Sequence, residues 1–255
     1  MEDMYGSCNI NPTTSHNTII PPRIKMITAA PEIAAMTSSI PEVTARGIVF
    51  SMGHTEATYE EASTAIEHGC TMITHLFNAM RPLHHRNPGV FGTLGNNTSR
   101  PYFGVIADGI HLHPTSVKIA WNAHPEGLVL VTDAMHLVGL PDGVYEWTNG
   151  ERIVKKGSRL VLEGSDGKIA GSSITLIECV SNFLNWSGAT IPMALKAVTA
   201  TPAKMLGLSG VKGCLESDAD ADLVVIDEVV DAVGFKTLRI DQVWKFGSKV
   251  FERLG

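Results

Sequence analysis

From Ile24 onward, short β-branched apolar runs alternate with segments of helical period. The runs are Ile24 to Thr28, Gly47 to Ser51, Thr71 to Thr74, Tyr102 to Ala107 and Leu128 to Thr132. Several are nearly continuous in apolar residues, as strands covered on both faces must be. Strand and helix in alternation predict βα units around a parallel sheet. Thr58-Tyr59-Glu60-Glu61 has the spacing of a capping box, Ala62, Ala65 and Ile66 follow at helical spacing, and Gly69 is placed as a stop. Pro114 suits the first turn of a helix that continues through Val117, Ile119, Ala120 and Trp121. Two more helices are predicted over 174–187 and 192–207.

Three stretches break the rhythm. Residues 1–22 are rich in Asn, Thr, Ser and Pro, show no periodicity and end in Pro21-Pro22, which predicts a flexible leader. Asn149 to Gly171 has Gly-rich turns and alternating apolar residues, Ile153, Val154, Leu160, Val161 and Leu162 among them, which predicts a β-hairpin excursion. Residues 211–255 carry three strand-like runs without helices: Gly213-Cys214-Leu215, Ala221 to Asp227 and Gln242 to Val250. They predict a small β-sandwich segment after a barrel domain over 23–210. So little sheet needs a partner surface.

Composition narrows the function. The chain has 255 residues, 44% of them hydrophobic and 18% charged, an ordinary globular balance. A net charge of −6 argues against nucleic-acid binding, which needs a basic surface. No apolar run approaches the ~20 residues of a membrane span, and the first residues lack the basic start and apolar stretch of a secretory signal. The four cysteines are scattered without a CxxC pair, as expected of reduced thiols in a cytoplasmic protein.

The ends of the runs carry the chemistry. Pro31-Glu32, Gly53-His54-Thr55, His75-Leu76-Phe77-Asn78, Asp108-Gly109-Ile110-His111 and Asp133-Ala134 each follow one run. Metal-capable and titratable residues at successive strand ends are the signature of a (β/α)-barrel active face. His54 and His75, about one strand–helix unit apart, are suited to giving two imidazoles to one divalent cation; taken singly, each reads rather as a buried hydrogen-bonding histidine, and it is the pair together with Asp133 that favours the metal. Asp133 is suited to general base and acid work beside a metal-bound water, or to capping the next helix. Arg86 offers a planar fork for phosphate oxygens but is also an ordinary loop cation. His84 and His85, being adjacent, diverge in direction and read as loop residues. Ala170-Gly171-Ser172-Ser173 could line a ligand with backbone amides and hydroxyls, or cap a helix.

In order and spacing, a series of strings resembles one family. These are Ala-Pro-Glu at 30–32, Gly-His-Thr at 53–55, Thr-His-Leu-Phe-Asn-Ala-Met at 74–80, Arg-Asn-Pro-Gly at 86–89, Ala-Asp-Gly-Ile-His at 107–111, Val-Thr-Asp-Ala at 131–134 and Ala-Gly-Ser-Ser at 170–173. They are similar to the N-acetylglucosamine-6-phosphate deacetylase family of the amidohydrolase superfamily. The tail Ala-Asp-Leu-Val-Val-Ile-Asp resembles that superfamily's C-terminal β segment. The resemblance implies a TIM-type (β/α) barrel and the hydrolysis of N-acetylglucosamine 6-phosphate to glucosamine 6-phosphate and acetate. It implies one divalent metal, zinc or another transition metal, on His54 and His75. Asp133 matches the catalytic aspartate, and His111 the histidine that polarises the acetamide carbonyl. Asn78, Ala79 and Arg86 match the phosphate-holding segment, the arginine often reaching across a homodimer interface. Asp108, Gly109, Ile110, Ala170, Gly171 and Ser172 match further substrate contacts.

The chain departs from that pattern. The family's carboxylate metal ligand lies in a His-Leu-Glu-Gly-Pro string that is not found here, nor is a substrate-binding histidine that follows it. Counted from the family's pattern, the first barrel strand here is the fourth, so three βα units and half of the β segment are expected to be missing. An incomplete barrel exposes two hydrophobic edges, and two imidazoles without a carboxylate hold a metal weakly. Glu32 and His16 are candidates to substitute. The alternative function is an impaired fragment that only binds sugar phosphate. A cyclic-amide hydrolase of the same superfamily is a third reading, against which Asn78, Ala79 and Arg86 favour the phosphosugar.

Overall fold

A computed structural model describes residues 2–15 and 18–254. His16, one candidate metal substitute, lies outside the described residues. The chain opens with two single-turn helices, α1 (Glu2–Tyr5) and α2 (Ser7–Ile10), and a hairpin of β1 (Thr13–Ser15) and β2 (Thr18–Ile20). The segment read above as a flexible leader thus carries local structure. Its polar side chains hold it: Asn9 Nδ2 donates to the Tyr5 carbonyl (2.8 Å), and Asn11 Nδ2 to the Ser7 hydroxyl (2.9 Å). Ile10 is buried beside them.

Five strands then follow in chain order and lie side by side in that order: β3 (Met26–Ala29), β4 (Val49–Met52), β5 (Met72–Ile73), β6 (Tyr102–Ile106) and β7 (Leu128–Val131). Each starts within two residues of an apolar run predicted above. The pairing is parallel where the register is resolved, with Met26 opposite Val49, Ser51 opposite Met72, and Met72 opposite Tyr102. An α/β fold on a parallel sheet is therefore observed. Five strands in a row, with β3 and β7 at the ends, do not make a closed barrel.

The chain divides into two compact units. The first comprises residues 1–104, 123–129 and 201–208. Phe50, Met52, Ile73, Leu76 and Phe103 are fully buried in it. Its helices include α3 (Met36–Ala45), which the sequence reading did not foresee because it contains Pro41, then α4 (Tyr59–Glu67) and the single turn α5 (Gly89–Gly92). The capping box at α4 forms: Glu61 N donates to Thr58 Oγ1 (3.2 Å), and Thr58 N donates to the Glu61 carboxylate (2.8 Å).

The second unit comprises residues 105–122, 130–200 and 209–255. It includes most of α6 (Pro114–Ala123) and four antiparallel strands, β8 (Gly143–Glu146), β9 (Arg152–Lys156), β10 (Arg159–Leu162) and β11 (Ile169–Ser172), in sheet order β11-β10-β9-β8. The expected hairpin is thus a meander that begins six residues earlier, at Gly143, and encloses Leu137, Ile153 and Leu160. Helix α7 (Leu176–Ser187) buries Phe183, whose ring meets Trp121 edge-on at 5.2 Å. The single helix predicted over 192–207 is two, α8 (Ile191–Lys196) and α9 (Ala200–Met205). Pro202 explains the break, since it lacks the amide a continuous helix would use.

The C-terminal segment also differs from expectation. It forms one antiparallel layer of β12 (Leu223–Val230), β13 (Lys236–Lys245) and β14 (Ser248–Glu252), and no sandwich among the described residues. Gly213-Cys214-Leu215 is not a strand, and the run at 242–250 folds back on itself at Phe246-Gly247. β13 is tied to α7: Leu238 N donates to Ser181 Oγ (3.0 Å), and Lys236 N to Asn185 Oδ1 (2.9 Å). Val224, Val225, Val250 and Phe251 of this layer are exposed. All four cysteines are free. No helix among the described residues is long and apolar enough to cross a membrane.

Candidate active site

In the first unit, β4 ends at Met52 and β5 at Ile73, and the chain leaves each strand through a histidine. Both residues adopt left-handed backbone, with φ 50° at His54 and 27° at His75. Few non-glycine residues do so, and each costs about 1–3 kcal/mol that the surroundings must offset. Gly53 makes the approach possible, because a Cβ there would lie 2.6 Å from Thr74 Cβ. The histidine Nε2 atoms come to 3.0 Å, with rings edge-to-face at 4.7 Å between centroids. Two imidazole nitrogens on one tetrahedral cation, at about 2.0–2.1 Å each, would sit about 3.3 Å apart. The pair therefore fits a shared metal after a shift of a few tenths of an ångström. His75 Nδ1 is buried and has no hydrogen-bond partner among the described residues. No cluster of three or more His, Cys, Asp or Glu among them is arranged to hold a metal.

Glu32, the other candidate substitute ligand, is engaged elsewhere. It accepts the Thr55 hydroxyl at Oε2 (2.5 Å) and the Glu56 amide at Oε1 (2.6 Å). Thr55, which the sequence reading did not single out, is buried; its amide donates to the Ala79 carbonyl (3.0 Å) and its hydroxyl accepts the Ala57 amide (3.0 Å). Ala79 is exposed at φ 49°. Asn78 Nδ2 donates to the His75 and Leu76 carbonyls, at 3.4 and 3.3 Å, bracing the same loop. Arg86 lies on an exposed loop, where Nη1 meets His85 Nε2 at 3.0 Å.

The second unit gathers the remaining residues. The Asp108 side chain is shielded from solvent: Oδ1 accepts the Ile110 and His111 amides (2.8 Å each), and Oδ2 meets His111 Nδ1 at 2.7 Å. Asp108's hydrogen bond raises the His111 pKa against the opposing effect of burial, and the Asp133 charge adds to the rise. Burial pushes the Asp108 carboxyl upward, but the hydrogen bonds from His111 and Ile110 outweigh it and hold the group below the usual carboxylate range. The i,i+3 spacing of Asp108 and His111 was a signal for this couple. Asp133 follows β7 with φ 47° and an exposed carboxylate. The next residues run beside β11, where Ala134 bridges Ser172 and Met135 N donates to the Ser172 carbonyl (2.9 Å). Gly171 permits this closeness, since a Cβ there would lie 2.5 Å from the Met135 sulfur. Asp133, the Asp108–His111 couple with Gly109 and Ile110, and Ala170 to Ser172 thus all belong to one unit, and His54, His75, Asn78, Ala79 and Arg86 to the other.

The amidohydrolase family profile matches residues 22–250. An N-acetylglucosamine-6-phosphate deacetylase of Danio rerio is 43% identical over 227 residues, covering 87% of this chain and 55% of that protein. Among solved structures, the N-acetylglucosamine-6-phosphate deacetylase of Thermotoga maritima matches with a TM-score of 0.77 and 31% identity, over 92% of this chain and 61% of that one. A Mycobacterium smegmatis N-acetyl-D-glucosamine-6-phosphate deacetylase mutant, in complex with N-acetyl-D-glucosamine-6-phosphate, matches with a TM-score of 0.75 and 33% identity, over 89% and 57%. The chain spans about half the length of the curated relatives it matches.

Proposed function

The chain belongs to the amidohydrolase family, and from that premise we propose that it carries part of a metal-dependent deacetylase of N-acetylglucosamine 6-phosphate, built on part of a (β/α) barrel. The observation that carries this reading is the meeting of the His54 and His75 Nε2 atoms, 3.0 Å apart, at left-handed strand ends. Similarity to deacetylases, one of them in complex with this sugar phosphate, supports the substrate.

His54 and His75 would hold the divalent metal, zinc or another transition ion, which supplies Lewis acidity to the amide carbonyl and to water. Asp133 takes a proton from water as its oxygen bonds to the acetamide carbon, then gives that proton to the nitrogen as the C–N bond breaks. Acetate and the free amine result. His111 donates from Nε2 to the carbonyl oxygen, which gains negative charge in the transition state. Asp108, matched by the resemblance to a substrate contact, also accepts Nδ1–H of His111 and favours the imidazolium, in which Nε2 too is a donor. Asn78, Ala79 and Arg86 bind the phosphate, while Gly109, Ile110 and Ala170 to Ser172 contact the sugar.

The absence of a three-ligand cluster among the described residues favours a second reading, a chain that binds the sugar phosphate without turnover. Acetate release by the purified full chain, with one equivalent of zinc or cobalt, separates the two. Turnover abolished by Asp133→Asn supports the deacetylase. Calorimetric binding of the sugar phosphate without acetate supports the second, and neither binding nor turnover overturns both. A homodimer in the cytoplasm is the proposed setting, to be checked by sedimentation.

A further inference from the structure

We infer that Glu32 is a positioning residue for His54: a carboxylate at the end of one strand that fixes the imidazole at the end of the next. The inference rests on reading His54 and His75 as the metal-facing pair. Both carboxylate oxygens of Glu32 are committed to the two residues that directly follow His54, Oε2 to the Thr55 hydroxyl (2.5 Å) and Oε1 to the Glu56 amide (2.6 Å). Thr55 passes the restraint on, through its amide to the Ala79 carbonyl and through its hydroxyl to the Ala57 amide. A single buried threonine thus joins the loops after β3, β4 and β5.

This hold has a purpose at His54. The residue sits at φ 50° and is exposed, so backbone preference does not hold it there and its ring contact with His75 covers only one side. Hydrogen bonds to a carboxylate are stronger than neutral ones, and two on consecutive residues fix a loop's orientation as well as its position. Partners bonded directly to a ligating histidine are typically worth about 10–100-fold in metal affinity, and Glu32, acting through the residues next to His54, belongs at the low end of that range. Each Glu32 oxygen already faces one donor, so its first role is to hold the loop.

The test uses the full chain with Glu32→Ala, Glu32→Gln and Thr55→Ala, read by imidazole NMR, amide hydrogen exchange and zinc affinity in chelator competition. In Glu32→Ala, the His54 ring signals should move more than those of His75, exchange at Glu56 should speed at least tenfold, and zinc affinity should fall by about 10-fold. Thr55→Ala, which removes no possible ligand, should reproduce part of each effect. Glu32→Gln should recover most of the affinity, since its amide oxygen still accepts from Glu56 and its nitrogen can donate to Thr55. Unmoved His54 signals and unchanged exchange in Glu32→Ala overturn the inference. So does a Glu32→Gln affinity as poor as that of Glu32→Ala with Thr55→Ala unaffected, the behaviour of a direct ligand. If the parent chain takes no zinc, the metal reading of the pair fails by itself, and the NMR and exchange results alone decide on Glu32.

Discussion

Gly53→Ala is the sharpest test of how the strand ends are built. The new Cβ would lie 2.6 Å from Thr74 Cβ, 2.9 Å from Thr74 Oγ1 and 3.1 Å from Thr28 Cγ2. Carbon atoms in contact prefer about 3.5–4.0 Å, so a gap of roughly 1 Å has to open between β4 and β5. Overpacking of this kind costs about 1–3 kcal/mol. Thr74 Oγ1 is also bonded to Ser51 Oγ (2.5 Å) and Thr28 Oγ1 (3.2 Å). Breaking one such bond adds about 1 kcal/mol. A total of about 2–4 kcal/mol corresponds to a melting temperature lowered by roughly 4–16 °C in a chain of this size. Gly95→Ala in the same unit is the control, because a Cβ there meets nothing within 4 Å, and it should stay within about 1 kcal/mol of the parent. Calorimetric melts of both variants settle the matter. A Gly53→Ala protein melting within 1 °C of the parent, or a Gly95→Ala protein falling equally far, would refute the packing argument.

Other expectations are simpler to check. His111, held by Asp108, should titrate above its ordinary pKa in NMR, and Asp108→Asn should bring the midpoint down. Because the folded-state pKa of His111 is raised, its contribution to stability is full below about pH 6.5 and is lost as pH rises through the raised value. Asp108 is depressed, so its contribution is present above about pH 4 and lost on acidification. The penalty of Asp108→Asn should therefore peak between these limits; a penalty independent of pH would argue against the ion pair. His124 is buried with its pKa lowered, chiefly by desolvation and further by Arg100. It should weaken the first unit as pH falls below about 6.5, and His124→Gln should flatten that loss in acid titrations followed by circular dichroism. Burial pushes the Cys70 thiol up to about 11 and Cys179 up to about 12. A disulfide reagent at pH 8 should modify exposed Cys8 and part-exposed Cys214 within minutes and the other two only after denaturation.

The parallel strands were legible because each is a short apolar run, and the capping box at Thr58 because its signal lies within four residues. Pro41 hid α3, since a proline inside a helix reads as its end. The meander began earlier than its glycines suggested, because Val144 and Glu146 are exposed and give no burial signal. Polar partnerships across long intervals were the hardest to see. Glu32 offers two acceptor oxygens to any neighbour, and nothing local says that they are spent on residues 23 and 24 positions later. Asp108 likewise matches a substrate contact, and its string does not reveal the three hydrogen bonds by which its carboxylate holds Ile110 and His111.

The left-handed backbone at His54, His75 and Asp133 sets chemistry against durability. Glycine would relax each of these positions by roughly 1 kcal/mol while deleting the side chain for which the position exists. Selection for heat resistance alone would thus drift toward inert sequences, and any campaign to toughen this chain needs a screen for function running beside the thermal one.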